Sequence, residues 1–131
     1  MKIFVPLGRV LFAAIFIVSG LISHLLNPQG MIAYATSMGV PMPRILVPLT
    51  GLIALAGGLS LLMGFKAKIG AWLIVFFLVP VTLTMHKFWG LSDPQMTLVQ
   101  QAMFLKNLSM LGGALLIAHF GAGPFSVDEG I

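Results

Sequence analysis

The sequence has no cysteine, only three acidic residues and few charges of any kind. Without cysteine the chain forms no disulfide, thiolate-ligated iron–sulfur cluster or thiol relay. Any redox chemistry must therefore use a bound cofactor or a partner subunit. Charged residues make up 8% of the 131 residues, against about 25% in a soluble domain. With 59% hydrophobic residues, the composition predicts one membrane domain.

Basic residues outnumber acidic ones, and the formal net charge is +4. A nucleic-acid-binding domain clusters its basic residues on one face. Here they are spread over the flanks of apolar runs, where they act as topology signals. We therefore expect the protein to contact a lipid bilayer and no nucleic acid.

Four apolar runs are long enough to cross a bilayer, which takes about 20 residues in a helix. They cover residues of about 3–26, 45–65, 69–89 and 96–120. The pattern predicts an all-α fold, an integral membrane four-helix bundle over residues 1–131. Lys2 precedes the first run as in a signal peptide. Because Arg9 interrupts that run and no clear cleavage site follows, we expect a retained helix.

The segment of about residues 30–40 is too short to span. Its residues Met31, Tyr34 and Met38 share one stripe at helical spacing, and Pro41 stops the pattern. We predict a short interfacial helix after the first span, anchored by Tyr34. An ordered loop is the alternative.

Two internal patterns concern helix packing. Ala56, Ser60 and Gly64 recur every four residues in the second span, which predicts close contact between helix backbones. Pro80 predicts a kink in the third span. We expect the side chains of Thr82 and Thr84 to bond the backbone groups that this proline frees.

Four spans put both termini on one side of the membrane. The flanking basic residues of that side are Lys2, Arg9, Lys66 and Lys68, and those of the other side are Arg44 and Lys87. Because basic residues are more numerous on the side that carries the termini, we predict that both termini are cytoplasmic. The C-terminal tail, which carries Asp128 and Glu129, is expected to be frayed.

Polar residues in the outer halves of the third and fourth spans carry the main functional prediction. Lys106 lies about 15 Å into its helix, where a charge costs roughly 2.5–3.5 kcal/mol on insertion scales. Gln100 and Asn107 share a helix face. With His86, these residues predict a polar pocket that binds a quinone carbonyl or another polar head group. A structural hydrogen-bond network between helices is the alternative.

His24, His86 and Arg9 complete the set of candidate ligand-binding residues. The two histidines lie at one membrane depth, where they can ligate haem or a metal or simply cap helix ends. A third ligand is missing because His119 lies at the far end of its helix, and we predict no metal site. Arg9 shares the inward face of the first helix with His24. Its alternative role is to bond lipid phosphates.

Several motifs coincide along the chain. They are Gly8-Arg9, Ser19-Gly20, Gly39-Val40-Pro41, Gly57-Gly58 before a basic turn, His86 before an aromatic pair, and Phe104-Leu105-Lys106-Asn107-Leu108. This set resembles the DoxX family of small bacterial four-helix membrane proteins. The resemblance covers nearly the whole chain, and its most specific part is the stretch at 104–108.

The resemblance implies a multi-pass protein of the bacterial cytoplasmic membrane. The family takes its name from proteins associated with an archaeal quinone-linked oxidase and thiosulfate oxidation system, and most of its members have no assigned reaction. Relatives often have a glutamate where this chain has Ala54, and a lysine where it has His24. Lys106 then lacks a carboxylate partner, since the three acidic residues lie outside the spans. This departure argues against chemistry that needs a buried carboxylate.

We expect a small membrane subunit that binds quinone or another lipidic redox molecule for a redox enzyme whose catalytic subunit is another chain. The alternative is a non-catalytic scaffold or assembly partner, and a homo-oligomer is compatible with both. A transporter is less favoured because no inverted repeat or buried acid appears. No nucleophile–base pair is visible. The sequence leaves open whether the chain is itself an enzyme.

Overall fold

The computed structural model describes residues 1–130, which contain helices and no strand. Helix α1 (Phe4–Val18) continues as a π-helical segment (Ser19–Leu26), and α2 (Gln29–Ser37), α3 (Pro43–Met63), α4 (Ala67–Met85) and α5 (Pro94–Phe120) follow. Four of these elements are long and apolar enough to cross a membrane, counting α1 and its π segment as one. The predicted class, an all-α membrane protein with four spans, is confirmed.

The helices pack in chain order. Helix α1 lies on α3, α3 on α4, and α4 on α5, while the short α2 lies on α3 and the π segment. A common core joins these layers through Phe16, Leu61, Ile74 and Leu78. The ring of Phe12 also lies against Gly113 of α5, so α1 and α5 meet and the bundle closes there.

Glycines set the closest helix contacts. A Cβ on Gly20 would lie 2.7 Å from the carbonyl oxygen of Gly51, and one on Gly57 would lie 3.0 Å from that of Gly70. These distances leave no room for a side chain, so α3 touches both neighbours through backbone. The predicted four-residue stripe is only partly right. Ala56 is exposed, because the contacts run along the adjacent helix face.

The first span contains a π-helical segment that the sequence did not predict, and the third span is shorter than predicted. The first changes from α-helix to π-helix at Ser19, where the His24 ring bonds the Ser19 carbonyl five residues earlier. A π-bulge of this kind often marks a functional region of a helix. The third span ends at Met85 rather than at about 89, because the backbone of His86 leaves helical geometry.

The C-terminal tail is docked, and the expectation that it is frayed was wrong. The main-chain N–H of Val127 donates to the Met63 carbonyl at 3.2 Å. The Asp128 carboxylate accepts from the N–H groups of Lys66 and Ala67 at 2.6 and 2.8 Å and thus caps α4. These main-chain bonds, that of Ala67 first, hold the pKa of Asp128 below its ordinary value.

Candidate functional site

A cavity of about 780 Å³ lies in the half of the bundle that carries α2. Residues from every helix line it, and most are apolar. Its side chains with polar atoms include Ser19, His24, Tyr34, His86, Lys106 and Asn107. Ligand sites in proteins have this volume and this combination of an apolar wall with a few polar groups.

Three side chains form one hydrogen-bonded chain beside this cavity. The Tyr34 hydroxyl donates to the main-chain oxygen of Met85, the last residue of α4. Gln100 Nε2 donates to the Tyr34 oxygen at 2.6 Å, and Gln100 Oε1 lies 3.0 Å from His86 Nδ1. The chain links α2, α4 and α5. The structure thus brings Gln100 and His86 together, as the sequence predicts.

Tyr34 is the site residue that sequence analysis missed. It was assigned an anchoring role at the membrane interface, whereas its hydroxyl lies at the centre of the chain of bonds. A signal was present, because Tyr34 is the only tyrosine of the sequence and a phenol in an apolar helix requires a hydrogen-bond partner. The sequence contains nothing that identifies that partner.

Asn107 forms a second polar contact, separate from the first. It is buried, and its Nδ2 donates to the Thr82 Oγ1 of α4 at 3.0 Å. The expected role of Thr82 was therefore wrong. Only Thr84 bonds the backbone near the proline, donating to the Pro80 carbonyl at 2.7 Å.

Lys106 lies at the edge of the cavity rather than in the polar chain. Its side chain is exposed, and its ammonium contacts Met103 Sδ at 3.5 Å. Consecutive residues of a helix point about 100° apart, so Lys106 faces away from the interior although it directly precedes the buried Asn107. The predicted four-residue pocket is thus a Gln100–His86 pair, a separate Asn107 contact and a lysine at the rim.

His24 lines the same cavity from the π segment. It is buried, its Nδ1 lies 2.8 Å from the Ser19 carbonyl oxygen, and its ring packs edge-on against Phe77 at 6.0 Å. His119 lies near the other end of α5, as expected from the sequence. Within residues 1–130, no three metal-ligating side chains come together.

Arg9 lies at the opposite end of the bundle and takes no part in the cavity. It is 5% exposed, and among the described residues 1–130 its guanidinium donates to main-chain oxygens only. The acceptors are Leu61 at 3.0 Å, Ala122 at 2.7 Å, Phe125 at 2.9 Å and Pro124 at 3.5 Å. The structure therefore places Arg9 as a clamp between α1, α3 and the tail, and not beside His24.

The fold and the cavity define a class, that of small membrane proteins with four spans and an amphipathic cavity between the helices. The chain belongs to the DoxX family, which matches residues 4–87. This confirms the family that the motifs indicate. The match ends before α5, so the stretch at 104–108, taken as the most specific part of the resemblance, lies outside it.

Two bacterial relatives match over nearly their whole length. Inner membrane protein YqjF of Escherichia coli is 32% identical over 125 residues, which cover 95% of this chain and 89% of the relative. Inner membrane protein YphA of the same organism is 25% identical over 123 residues, covering 94% and 86%. No solved structure matches the chain.

A eukaryotic relative matches over a smaller part. The Surfeit locus protein 4 homolog of Schizosaccharomyces pombe is 33% identical over 93 residues, which cover 70% of this chain and 30% of that protein. The helical unit described here is thus similar to a segment of a longer protein. The chain is a DoxX-family membrane protein, and the names of its bacterial relatives place them in the inner membrane.

Proposed function

We propose that the protein binds a quinone or another lipidic redox molecule in the cavity and serves a redox enzyme whose catalytic subunit is another chain. The observation that carries this proposal is the cavity itself, about 780 Å³ of mostly apolar wall with a hydrogen-bonded polar chain at its side. A molecule with an apolar tail and a polar ring matches both parts of this surface.

The position of the cavity supports a ligand that dissolves in lipid. Most of its wall belongs to helices that are apolar enough to span a membrane, so a ligand reaches it through the bilayer more readily than from water. Phe77 and Met110 are among its apolar lining residues. Aromatic and methionine side chains pack well against a flat ring of variable position.

The assignment of catalysis to a partner follows from the side chains that the chain lacks. It has no cysteine, and its three acidic residues lie in loops and in the tail. Such groups serve, beside histidine, as the nucleophiles, acids and bases of many enzymes. The chain is therefore suited to hold a redox molecule and not to carry out the reaction by itself.

Organic extraction of the solubilised protein, followed by chromatography and absorption spectroscopy, tests the proposal. We expect a quinone-like molecule in the wild type and its loss in Gln100→Leu, which removes the buried amide of the polar chain. Gln101→Leu is the matched control, because its side chain is exposed one position further along α5. The amount of extracted ligand is compared between the variants only if thermal unfolding shows that both are folded and equally stable.

The alternative, a non-catalytic scaffold, is favoured by one observation. Within residues 1–130, every buried side-chain nitrogen or oxygen has a hydrogen-bond partner, as expected if the polar groups only join helices. A scaffold would contain no extractable ligand and would co-purify with another chain in stoichiometric amount. An empty cavity in protein purified from its own membrane would therefore support this role over ligand binding.

We also propose that both termini are cytoplasmic in a bacterial inner membrane. Four spans place the termini on one side, and the basic turn at Lys66 and Lys68 lies on that side as well. A C-terminal phosphatase fusion should be inactive and a C-terminal fluorescent fusion should be bright. The opposite result would reverse the orientation.

A further inference from the structure

The hydrogen bonds beside the cavity determine where the proton of His86 lies. The Met85 main-chain oxygen can only accept, so the Tyr34 hydroxyl donates to it. The Tyr34 oxygen then accepts from Gln100 Nε2. Gln100 thereby turns its carbonyl oxygen toward His86, and Nδ1 of His86 must carry a proton to make the 3.0 Å bond. In neutral His86, Nε2 is therefore an acceptor.

His24 reaches the same state by an independent route. Its Nδ1 lies 2.8 Å from the Ser19 carbonyl oxygen, which also can only accept, so this Nδ1 carries the proton as well. Neither Nε2 atom makes a hydrogen bond within residues 1–130. Since no buried polar atom there lacks a partner, both Nε2 atoms are accessible. Two imidazole acceptors thus belong to side chains that line one cavity.

Two further cavity-lining groups, the ammonium groups of Lys87 and Lys106, do not distinguish between oxygen types. An ammonium donates equally to a hydroxyl oxygen and to a carbonyl oxygen. An imidazole acceptor does distinguish them, because a hydroxyl has a proton to donate and a carbonyl has none. Facing a carbonyl, the acceptor would lose its contact with water and gain no hydrogen bond in return.

We propose that the cavity selects a ring ligand with a hydroxyl head group, the hydroquinone or phenol class, over the corresponding carbonyl form. The inference rests on the proposed function and names the redox state that the site holds. His24 and His86 act as the acceptors. Gln100 and Tyr34 are positioning residues, because they act through His86.

Binding of matched ligand pairs to purified protein in detergent tests this preference. The first pair is an alkyl hydroquinone and its quinone, measured without oxygen. The second is a para-alkylphenol and its methyl ether, which differ in the hydroxyl proton and undergo no redox change. We expect the hydroxyl member of each pair to bind roughly 10-fold more tightly, the effect of about one hydrogen bond.

Variants test whether the preference for a hydroxyl comes from the imidazole acceptors or from the fold as a whole. His86→Phe should reduce the preference to roughly 3-fold or less. The hydroxyl compounds should bind more weakly, and the methyl ether as tightly as before or more tightly, because no acceptor is then left without a hydrogen bond. Tyr34→Phe should also reduce it, because Gln100 is then free to turn and His86 can exchange its proton between nitrogens. His119→Phe is the control, since that histidine is exposed and does not line the cavity. Nitrogen NMR of labelled histidine should show His24 and His86 with the proton on Nδ1.

The outcomes separate the inference from the proposed function. Equal affinity within each pair, or a tighter carbonyl form, would overturn the inference and leave ligand binding in place. Absence of binding by all four compounds would overturn the proposed function as well. A preference that persists unchanged in both His86→Phe and Tyr34→Phe would also contradict the inference, since His86 would not be its source. Nitrogen NMR that places the proton of His86 on Nε2 would also contradict the inference.

Discussion

The two ends of the bundle are both held by buried or half-buried polar side chains, but the bonds differ in kind. At the tail end, Arg9 directs its guanidinium to main-chain oxygens of α3 and the tail. At the cavity end, Tyr34, Gln100 and His86 bond to one another in a chain that begins at a main-chain oxygen. This chain of hydrogen bonds ends at His86, whose Nε2 has no partner within residues 1–130.

The difference between the ends teaches how to separate a structural polar group from a candidate binding group. Arg9 was a candidate ligand residue because of its charge and its inward face. Its contacts with main-chain oxygens are those of a clamp. His86 has one nitrogen engaged and the other accessible beside a cavity, which is the condition for binding a molecule from outside the chain.

The largest expected effect comes from Arg9→Met at the tail end. This change removes one of the two donors to the Leu61 oxygen of α3 and the guanidinium donors to the tail oxygens, and should lower stability by about 3–5 kcal/mol. Thermal unfolding in detergent measures it, and ligand affinity below the transition should be unchanged. Arg44→Met is the control, because Arg44 is exposed. Loss of ligand affinity in folded Arg9→Met would show that the two ends are coupled.

Gly51→Ala should have the next largest effect. The new methyl group would collide with His24 Cβ, so the π segment must move away from α3, at a cost of roughly 1–3 kcal/mol. Ligand affinity should fall too, because His24 moves with that segment. In contrast, Gly112→Ala adds a methyl group where nothing lies within 4 Å and should be neutral. Equal stability of the two variants would refute the close backbone contact.

Lys106→Met should affect binding more than folding. The ammonium contacts only a thioether within residues 1–130, so removing its charge should leave stability unchanged or higher by up to about 2–3 kcal/mol. Ligand retention should fall roughly 5-fold, with partial recovery in Lys106→Arg. Thermal unfolding and ligand extraction from the same preparation measure both. Full retention in the methionine variant would remove Lys106 from the site.

Asp128→Asn should have the smallest effect, and it should depend on pH. The N–H groups of Ala67 and Lys66 lower the pKa of Asp128 in the folded protein. Its stabilisation is therefore complete above the ordinary value of 3.8 and is lost as pH falls through the lowered pKa. The difference in melting temperature between wild type and variant should be constant from pH 5 to 8 and disappear in acid. A difference that grows in acid would contradict the cap.

The composition alone was enough to predict the class of fold. Four apolar runs of sufficient length allow only helices in a bilayer, because each backbone N–H and C=O must be bonded within its own segment. The family was also evident from short motifs. The structure adds that Asp93, directly before Pro94, caps α5 by accepting from the Gln95 N–H. The sequence placed Gln100 and His86 in one polar pocket, and the structure shows them bonded to each other.

The tertiary structure decided what the polar residues do. A period of 3.6 residues shows which side chains share a face, but it does not show which neighbour that face meets. Thus Tyr34 and Thr82 could not be matched with Gln100 and Asn107, which lie far along the chain. The tail was misjudged for the same reason. It is held by Arg9, more than 100 positions earlier, and by its bonds to Met63 and to the start of α4. Contacts between residues so distant in sequence exist only once the chain has folded.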